Sequence, residues 1–196
     1  MHAIIVLSHP KPDSLTHAVA HRLAQGILDS DPLHSVETAD LCAEGFDPRF
    51  SRADIDLHLA ASPPADDVAN EHRRLDRADA LILVYPIYWW SFPALLKGWI
   101  DRVFTRGWAY DEDAHGRLVK KLSHLAVHQI ALGGADQRTY ARHGYFGSMK
   151  NQIDHGIFSY CGARRINSEL LLPSDHNFPA AHLDAAYLHG TKIFAS

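Results

Sequence analysis

Three stretches of this chain carry side chains able to do chemistry: SHPKPDSLT at residues 8–16, YPIYWW at 85–90 and ALGG at 131–134. In the first, Ser14 and Thr16 offer hydroxyls and His9 an imidazole, all able to donate hydrogen bonds to phosphate oxygens. The same place also reads as an ordinary helix N-cap at Asp13 or Ser14, with prolines stiffening the turn. In the second, Tyr88, Trp89 and Trp90 follow a proline and precede a helix, where aromatics either fill a core or wall a site for a flat ligand. In the third, Gly133 and Gly134 let the backbone come close to a planar group.

The elements that must position these stretches show in the pattern of apolar residues. Short apolar runs at 3–7, 79–84, 125–132 and 166–172, with a weaker one at 35–41, lack strict alternation and predict strands covered on both faces. Leu15, Val19, Leu23 and Ile27 recur at i+4, as do Leu95, Trp99 and Val103, which predicts helices. Strand and helix in alternation predict a doubly wound parallel sheet. Its strands all end at one edge, where ligands bind and helix N-termini present unpaired N–H groups to anions. The loops after the first, third and fourth strands can therefore meet in one crevice.

Composition narrows the function classes. A chain of 196 residues, 46% hydrophobic and 21% charged, is ordinary for a globular protein and predicts one domain over 1–196. A formal charge of -4 offers no broad attraction to nucleic acid or to anionic membranes. No stretch approaches the roughly 20 apolar residues that span a bilayer, and the N-terminus lacks a signal-peptide pattern. Cys42 and Cys161 form no CxxC pair and suit a reducing compartment, so the expectation is a cytoplasmic protein without membrane insertion. GxGxxG and GxxxxGK[ST] are both absent, which argues against a nicotinamide Rossmann domain or an NTPase.

Several residues have plainer readings. His17 with His21, and His124 with His128, have i+4 spacing, yet no HExxH or cysteine pair accompanies them; they read as surface histidines and no metal is expected. Trp99 and Cys161 read as packing. One of Trp89 and Trp90 is expected partly in the core, since neighbours in an extended segment face opposite ways. Residues 43–64, the longest irregular part, predict a functional or interface role, with short helical turns compatible.

On IIVLSHPKPDSL, YPIYWWSFPALLKGWIDRVF, WAY at 108–110, ALGG at 131–134 and HGIFSYCG at 155–162, the chain resembles the flavodoxin-like NAD(P)H:quinone oxidoreductases. These include the bacterial proteins called modulators of drug activity B. The resemblance implies a flavodoxin-like α/β fold, a five-stranded parallel sheet of order 2-1-3-4-5 with helices on both faces. It implies a flavin, FAD in preference to FMN, and NAD(P)H as hydride donor. His9, Ser14, Leu15 and Thr16 would sit at the flavin phosphates and ribityl chain, although the animal enzymes have phenylalanine and asparagine in place of Leu15 and Thr16. Pro86, Ile87, Tyr88, Trp89 and Trp90 would line the isoalloxazine, and Ala131, Leu132, Gly133 and Gly134 would approach its polar edge.

Tyr140 and His143 match the catalytic tyrosine and histidine, which stabilise charge on the ring. The segment before Cys161 is slightly shorter than in the animal enzymes, so Tyr145 in HGYF rivals Tyr140. Tyr110 and Tyr160, with Trp90, would form the substrate pocket, Tyr110 reaching in from the partner subunit of a homodimer with a shared active site. The implied activity is hydride transfer from NAD(P)H to a quinone-like acceptor, ping-pong because donor and acceptor share one stacking slot. The alternative it implies is a flavin-binding ancillary subunit of a potassium-efflux-type transporter.

Overall fold

The computed structural model describes residues 1–59, 62–173 and 177–195. Strands β1 (His2–Leu7), β2 (Ser35–Asp40), β3 (Ala80–Pro86), β6 (Ala126–Leu132) and β7 (Arg165–Leu171) form a parallel sheet of order β2-β1-β3-β6-β7. Numbering only these five, the order is the expected 2-1-3-4-5. Helices α1 (Leu15–Ser30), α2 (Arg52–His58), α3 (Asp66–Asp76), α4 (Ala94–Val103), α5 (Gln137–His143), α6 (Tyr145–Met149) and α7 (Ala180–Gly190) connect and cover it. A π-helix, Lys150–Ser159, continues from α6, and a small antiparallel hairpin pairs β4 (Tyr110–Glu112) with β5 (Leu118–Lys120).

Each strand of the sheet's middle is apolar on both sides because both sides are covered. Ile4, Val6, Leu81, Leu83 and Val127 pack with Trp99, Val103, Ile153 and Phe158 on one face. Ile5, Ile82, Val84 and Ile130 pack with Val19, Leu23, Ile27 and Ala186 on the other. Leu23 and Ile27 are fully buried, each contributing about 1.5–3 kcal/mol of transfer free energy. Trp99 is likewise buried, and its indole Nε1–H donates to Glu71 Oε2 at 2.8 Å, which satisfies its polar atom.

The hairpin and the π-helix were not foreseeable from periodicity. Three-residue strands are too short for alternation to register, and i→i+5 bonding leaves no mark on a 3.6-residue pattern. Within 43–64, residues 60 and 61 lie outside the described residues, and α2 occupies 52–58. Its capping box is complete: Ser51 Oγ accepts from Asp54 N, and the Asp54 carboxylate accepts from Ser51 N. This segment is fastened by Arg102, whose guanidinium donates to Asp54, to Asp67 Oδ2 at 2.6 Å and to the Asp47 carbonyl at 2.8 Å.

One histidine expectation is corrected here. His124 precedes β6 and His128 lies inside it, 2% exposed, so their spacing falls across a strand start and His128 is not a surface residue. The reason is sheet burial: every central position of β6 is covered. His17 and His21 do not converge either, since His17 bonds Asp40 while His21 meets Gln25. Among the described residues no helix is long and apolar enough to cross a membrane.

Candidate functional site

The loop after β1 delivers its residues to the N-terminus of α1 at the carboxyl edge of the sheet. His9 Nδ1 accepts from Lys11 N at 3.1 Å, which leaves Nε2 to carry the ring's N–H. Ser14 is the N-cap of α1, accepting from His17 N, and its Oγ also lies 2.9 Å from His17 Nδ1. His17 Nε2 in turn lies 2.9 Å from Asp40 Oδ2, at the end of β2. Asp40 can only accept, so neutral His17 holds its proton on Nε2 and takes the Ser14 hydroxyl hydrogen at Nδ1. The chain Ser14–His17–Asp40 therefore orients the hydroxyl. Ser14 is thus the helix cap, with its hydroxyl hydrogen taken by His17, while Thr16 is buried at 3% exposure. The His17–Asp40 link was missed in the sequence because its partners are 23 positions apart.

The loop after β3 is not the extended segment expected. Tyr88 and Ser91 exchange backbone hydrogen bonds, Tyr88 N to Ser91 O at 3.2 Å and Ser91 N to Tyr88 O at 3.1 Å. Between them Trp89 has φ 51° and Trp90 φ 59°, the pattern of a type I′ turn, which ordinarily takes Asn-Gly. Neither tryptophan enters the core. Trp89 is 93% exposed. Trp90 is half-buried, stacked on Tyr145 with ring centroids 3.6 Å apart and edge-on to Tyr140 at 5.3 Å. The pair divides, Trp89 in the open and Trp90 part-buried against Tyr140 and Tyr145, but a tight turn rather than the expected extended segment divides it.

Two bulky residues in the left-handed region cost about 1–2 kcal/mol each, strain of the kind that gathers at functional sites. Trp89→Gly is expected to stabilise the flavin-free protein by about 1 kcal/mol in urea unfolding, because its exposed indole makes no compensating core contact. Loss of stability in that variant would mean that Trp89 packs in a way its exposure does not show.

The loop after β6 completes the site. Leu132 ends the strand and its carbonyl accepts from Ile87 N at 2.8 Å, which ties the second and third loops together. A Cβ at Gly133 would lie 2.7 Å from the Tyr140 hydroxyl, whereas one at Gly134 would meet nothing within 4 Å. The first glycine therefore admits the phenol of Tyr140, and the second faces open space. Tyr140 is fully buried, and among the described residues nothing hydrogen-bonds its hydroxyl. Burial raises the phenol's pKa and keeps it a neutral donor. Ile87, Trp89, Trp90, Gly134, Ala135 and Tyr140 line a shallow cavity of about 200 Å³.

A buried donor without a partner costs free energy unless a ligand supplies the acceptor. The cavity beside it has a flat aromatic wall, an open glycine, and an anion-ready helix N-terminus at the same sheet edge. These features fit a flavin: His9 and the α1 terminus that Ser14 caps for its phosphate, the Trp-Trp turn and Gly134 for its ring, and Tyr140 for the ring's polar edge.

Other predicted residues lie elsewhere. His143 is exposed on α5 and stacks on Tyr145 at 5.3 Å, not on Tyr140. Tyr110 and Tyr160 pack edge to face at 5.4 Å, and neither lines this cavity within the chain. They sit where α4 and the π-helix have returned to the amino edge of the sheet, since Leu122 N donates to Cys161 O beside them. Cys161 is buried at 4% exposure and its thiol is pushed up to about 11, an inert packing group.

Comparison with known proteins identifies the fold and the family. The Flavodoxin_2 family model, described as a flavodoxin-like fold, matches residues 1–188. A Haemophilus influenzae protein named uncharacterized NAD(P)H oxidoreductase is 31% identical over 171 residues, covering 87% of this chain and 83% of its own. NAD(P)H dehydrogenase [quinone] 1 of Cavia porcellus is 29% identical over 196 residues, with 90% of this chain and 70% of that protein covered. The solved NAD(P)H:quinone oxidoreductase of Methanothermobacter marburgensis superposes with a TM-score of 0.89 at 26% identity, covering 98% of both chains.

Proposed function

Because this chain belongs to the Flavodoxin_2 family of flavodoxin-like folds, we propose that it is a flavin-dependent NAD(P)H:acceptor oxidoreductase that reduces quinones or similar small acceptors. The observation that carries this reading is the buried Tyr140 hydroxyl, without a hydrogen-bond partner among the described residues, beside the open Gly134 and the strained Trp89-Trp90 turn. A bound flavin supplies the chemistry of two-electron transfer, taking a hydride from a nicotinamide and passing it to the acceptor.

The chain's own residues bind and orient. His9 Nε2–H and the N-terminus of α1 hold phosphate, with Ser14 set by His17 and Asp40. The Tyr88–Ser91 turn presents backbone and indole to the flat ring. Tyr140 holds its proton against the ring's polar edge, where negative charge develops during reduction and a fixed neutral donor is most effective. Trp90 and Tyr145 form an aromatic wall that keeps water from the reacting face. Donor and acceptor use that one face in turn, which is the basis for proposing ping-pong kinetics. FAD is the proposed form of the cofactor.

The whole of 1–196 is proposed as one domain working in the cytoplasm, a location supported by two free thiols. Tyr110 and Tyr160 lie at the sheet edge opposite the cavity, so they can reach a cavity of this kind only from a second copy of the chain. That placement supports a homodimer with a shared site. Nothing in the site favours the ancillary-subunit reading.

The test is direct: record the visible spectrum of the purified chain, identify the flavin it releases, then follow NADPH and NADH oxidation with a small quinone. A colourless protein that neither FAD nor FMN reconstitutes would overturn the proposal. His9→Ala combined with Ser14→Ala is expected to weaken flavin retention by about tenfold or more, since the His9 hydrogen bond to a charged group and the cap of α1 are both lost. Unchanged affinity would remove the loop after β1 from the phosphate site.

A further inference from the structure

The larger cavity near this end of the sheet is a different one, of about 370 Å³, between the π-helix and the β6–β7 edge. Its floor is polar where a sheet face is ordinarily apolar. Gln129, 2% exposed, and Tyr85, 1% exposed, lie on the same face as Ser168, the registered partner of Gln129 on β7. Asp154 enters from the π-helix.

Hydrogen-bond accounting shows what the floor can recognise. Tyr85 O–H donates to Gln129 Oε1 at 3.1 Å. Gln129 Nε2 donates to Asp154 Oδ1 at 2.8 Å and to Ser168 Oγ at 3.0 Å, and Ser168 Oγ–H donates to Asp154 Oδ1 at 2.8 Å. Every side-chain donor of these residues is thereby spent. What remains is acceptors: Asp154 Oδ2 and the free lone pairs of the Tyr85 and Ser168 oxygens, with one carboxylate charge.

On an α-helix Lys150 and Asp154 would be i,i+4 neighbours and a natural ion pair. Among the described residues they form no ion pair, and the Asp154 carboxylate instead accepts from Gln129 and Ser168. π-Helical turns are rare and concentrate at functional sites. The remaining lining joins apolar and polarizable Phe146, Met149, Ile153 and Leu170 with Lys150, Asn167 and Glu169, a second carboxylate.

We propose that this cavity is a second small-molecule site, built for an organic cation: an amine or amidine carried on an aromatic or branched apolar body. The acceptor floor and carboxylate take the cationic N–H groups. Phe146 and Met149 supply cation–π and sulfur–aromatic contacts to the body. The volume lies within the roughly 300–1,000 Å³ of small-molecule pockets. The cavity shares Ala131 with the predicted flavin edge but is lined by neither glycine of ALGG and neither residue of the Trp-Trp turn, so cation binding here is tested separately from the flavin reading.

The probe is benzamidine, titrated onto the purified full chain by calorimetry, with benzamide as its neutral counterpart. Benzamidine is expected to bind at least about tenfold more tightly than benzamide, the factor for a charge-assisted hydrogen bond. Asp154→Asn should erase that preference while the protein's flavin content and unfolding midpoint stay unchanged. Lys150→Ala, which removes a competing cation from the rim without touching the floor, should leave benzamidine affinity equal or tighter. Failure of benzamidine to bind the wild-type chain at millimolar concentration, or equal binding of benzamidine and benzamide, would overturn the site. So would tenfold weaker binding to Lys150→Ala.

Discussion

Tyr140→Phe is expected to lower quinone reduction by about 10²-fold while leaving the flavin-free fold as stable as the parent or slightly more so. The two halves of that result have one cause. In the folded chain the Tyr140 hydroxyl is buried against Gly133 with no partner among the described residues, so deleting it removes a desolvation cost and no hydrogen bond. In the proposed reaction the same hydroxyl would be the neutral donor at the place where charge develops on the ring. Steady-state kinetics with NADPH and a small quinone, paired with urea unfolding of the flavin-free protein, separates the halves. A loss of stability comparable to the loss of activity would make Tyr140 a packing residue. His143→Ala should be far milder, because the imidazole is exposed and touches Tyr145 rather than Tyr140.

Arg102→Ala is expected to cost about 3–5 kcal/mol of stability, the range for removing one partner of a buried ion pair. Its guanidinium is 5% exposed, and Asp54, its partner at 3.2 Å, is 1% exposed. The substitution strands that carboxylate in the interior and also releases the Asp47 carbonyl and Asp67. For a chain of this size the melting temperature should fall on the order of 10 °C. The Arg102 guanidinium also holds the Asp67 carboxyl below its ordinary value of 3.8. A lowered folded-state value contributes stability that is present above 3.8 and lost as pH falls through the lowered value, so the variant should also lose that part of its acid dependence. Thermal scans across the acid range check both; a melting temperature within a few degrees of the parent would show that Asp54 and the 43–64 segment find water or other partners.

The parallel sheet and the edge that carries the candidate site were legible because each rests on a local pattern, whereas the strand order came from the family resemblance. Apolar runs mark strands at 80–86 and 126–132, and i+4 apolar repeats mark α1 and α4. Ser14 read as a cap and is one, whereas Gly133 read as a point of approach for a planar ligand and the group beside it is the chain's own Tyr140. Even α2 had a signal, the Ser51–Asp54 capping box within an otherwise irregular stretch. The Trp89-Trp90 turn had none. Residue preference argues against a type I′ turn there, and it forms because the Tyr88–Ser91 bonds and the Trp90–Tyr145 stack outweigh that preference.

By itself, then, the amino-acid sequence determined which residues stand at the carboxyl edge of the sheet, because strand periodicity and topology place them there whatever their partners. Only the tertiary structure decided between Tyr140 and Tyr145 as the buried phenol, oriented Ser14 through His17 and Asp40, and joined Gln129, Asp154 and Ser168 under a π-helix. Those outcomes depend on hydrogen bonds and close contacts between residues distant in sequence, whose directions are set by packing and leave no periodic trace in the chain.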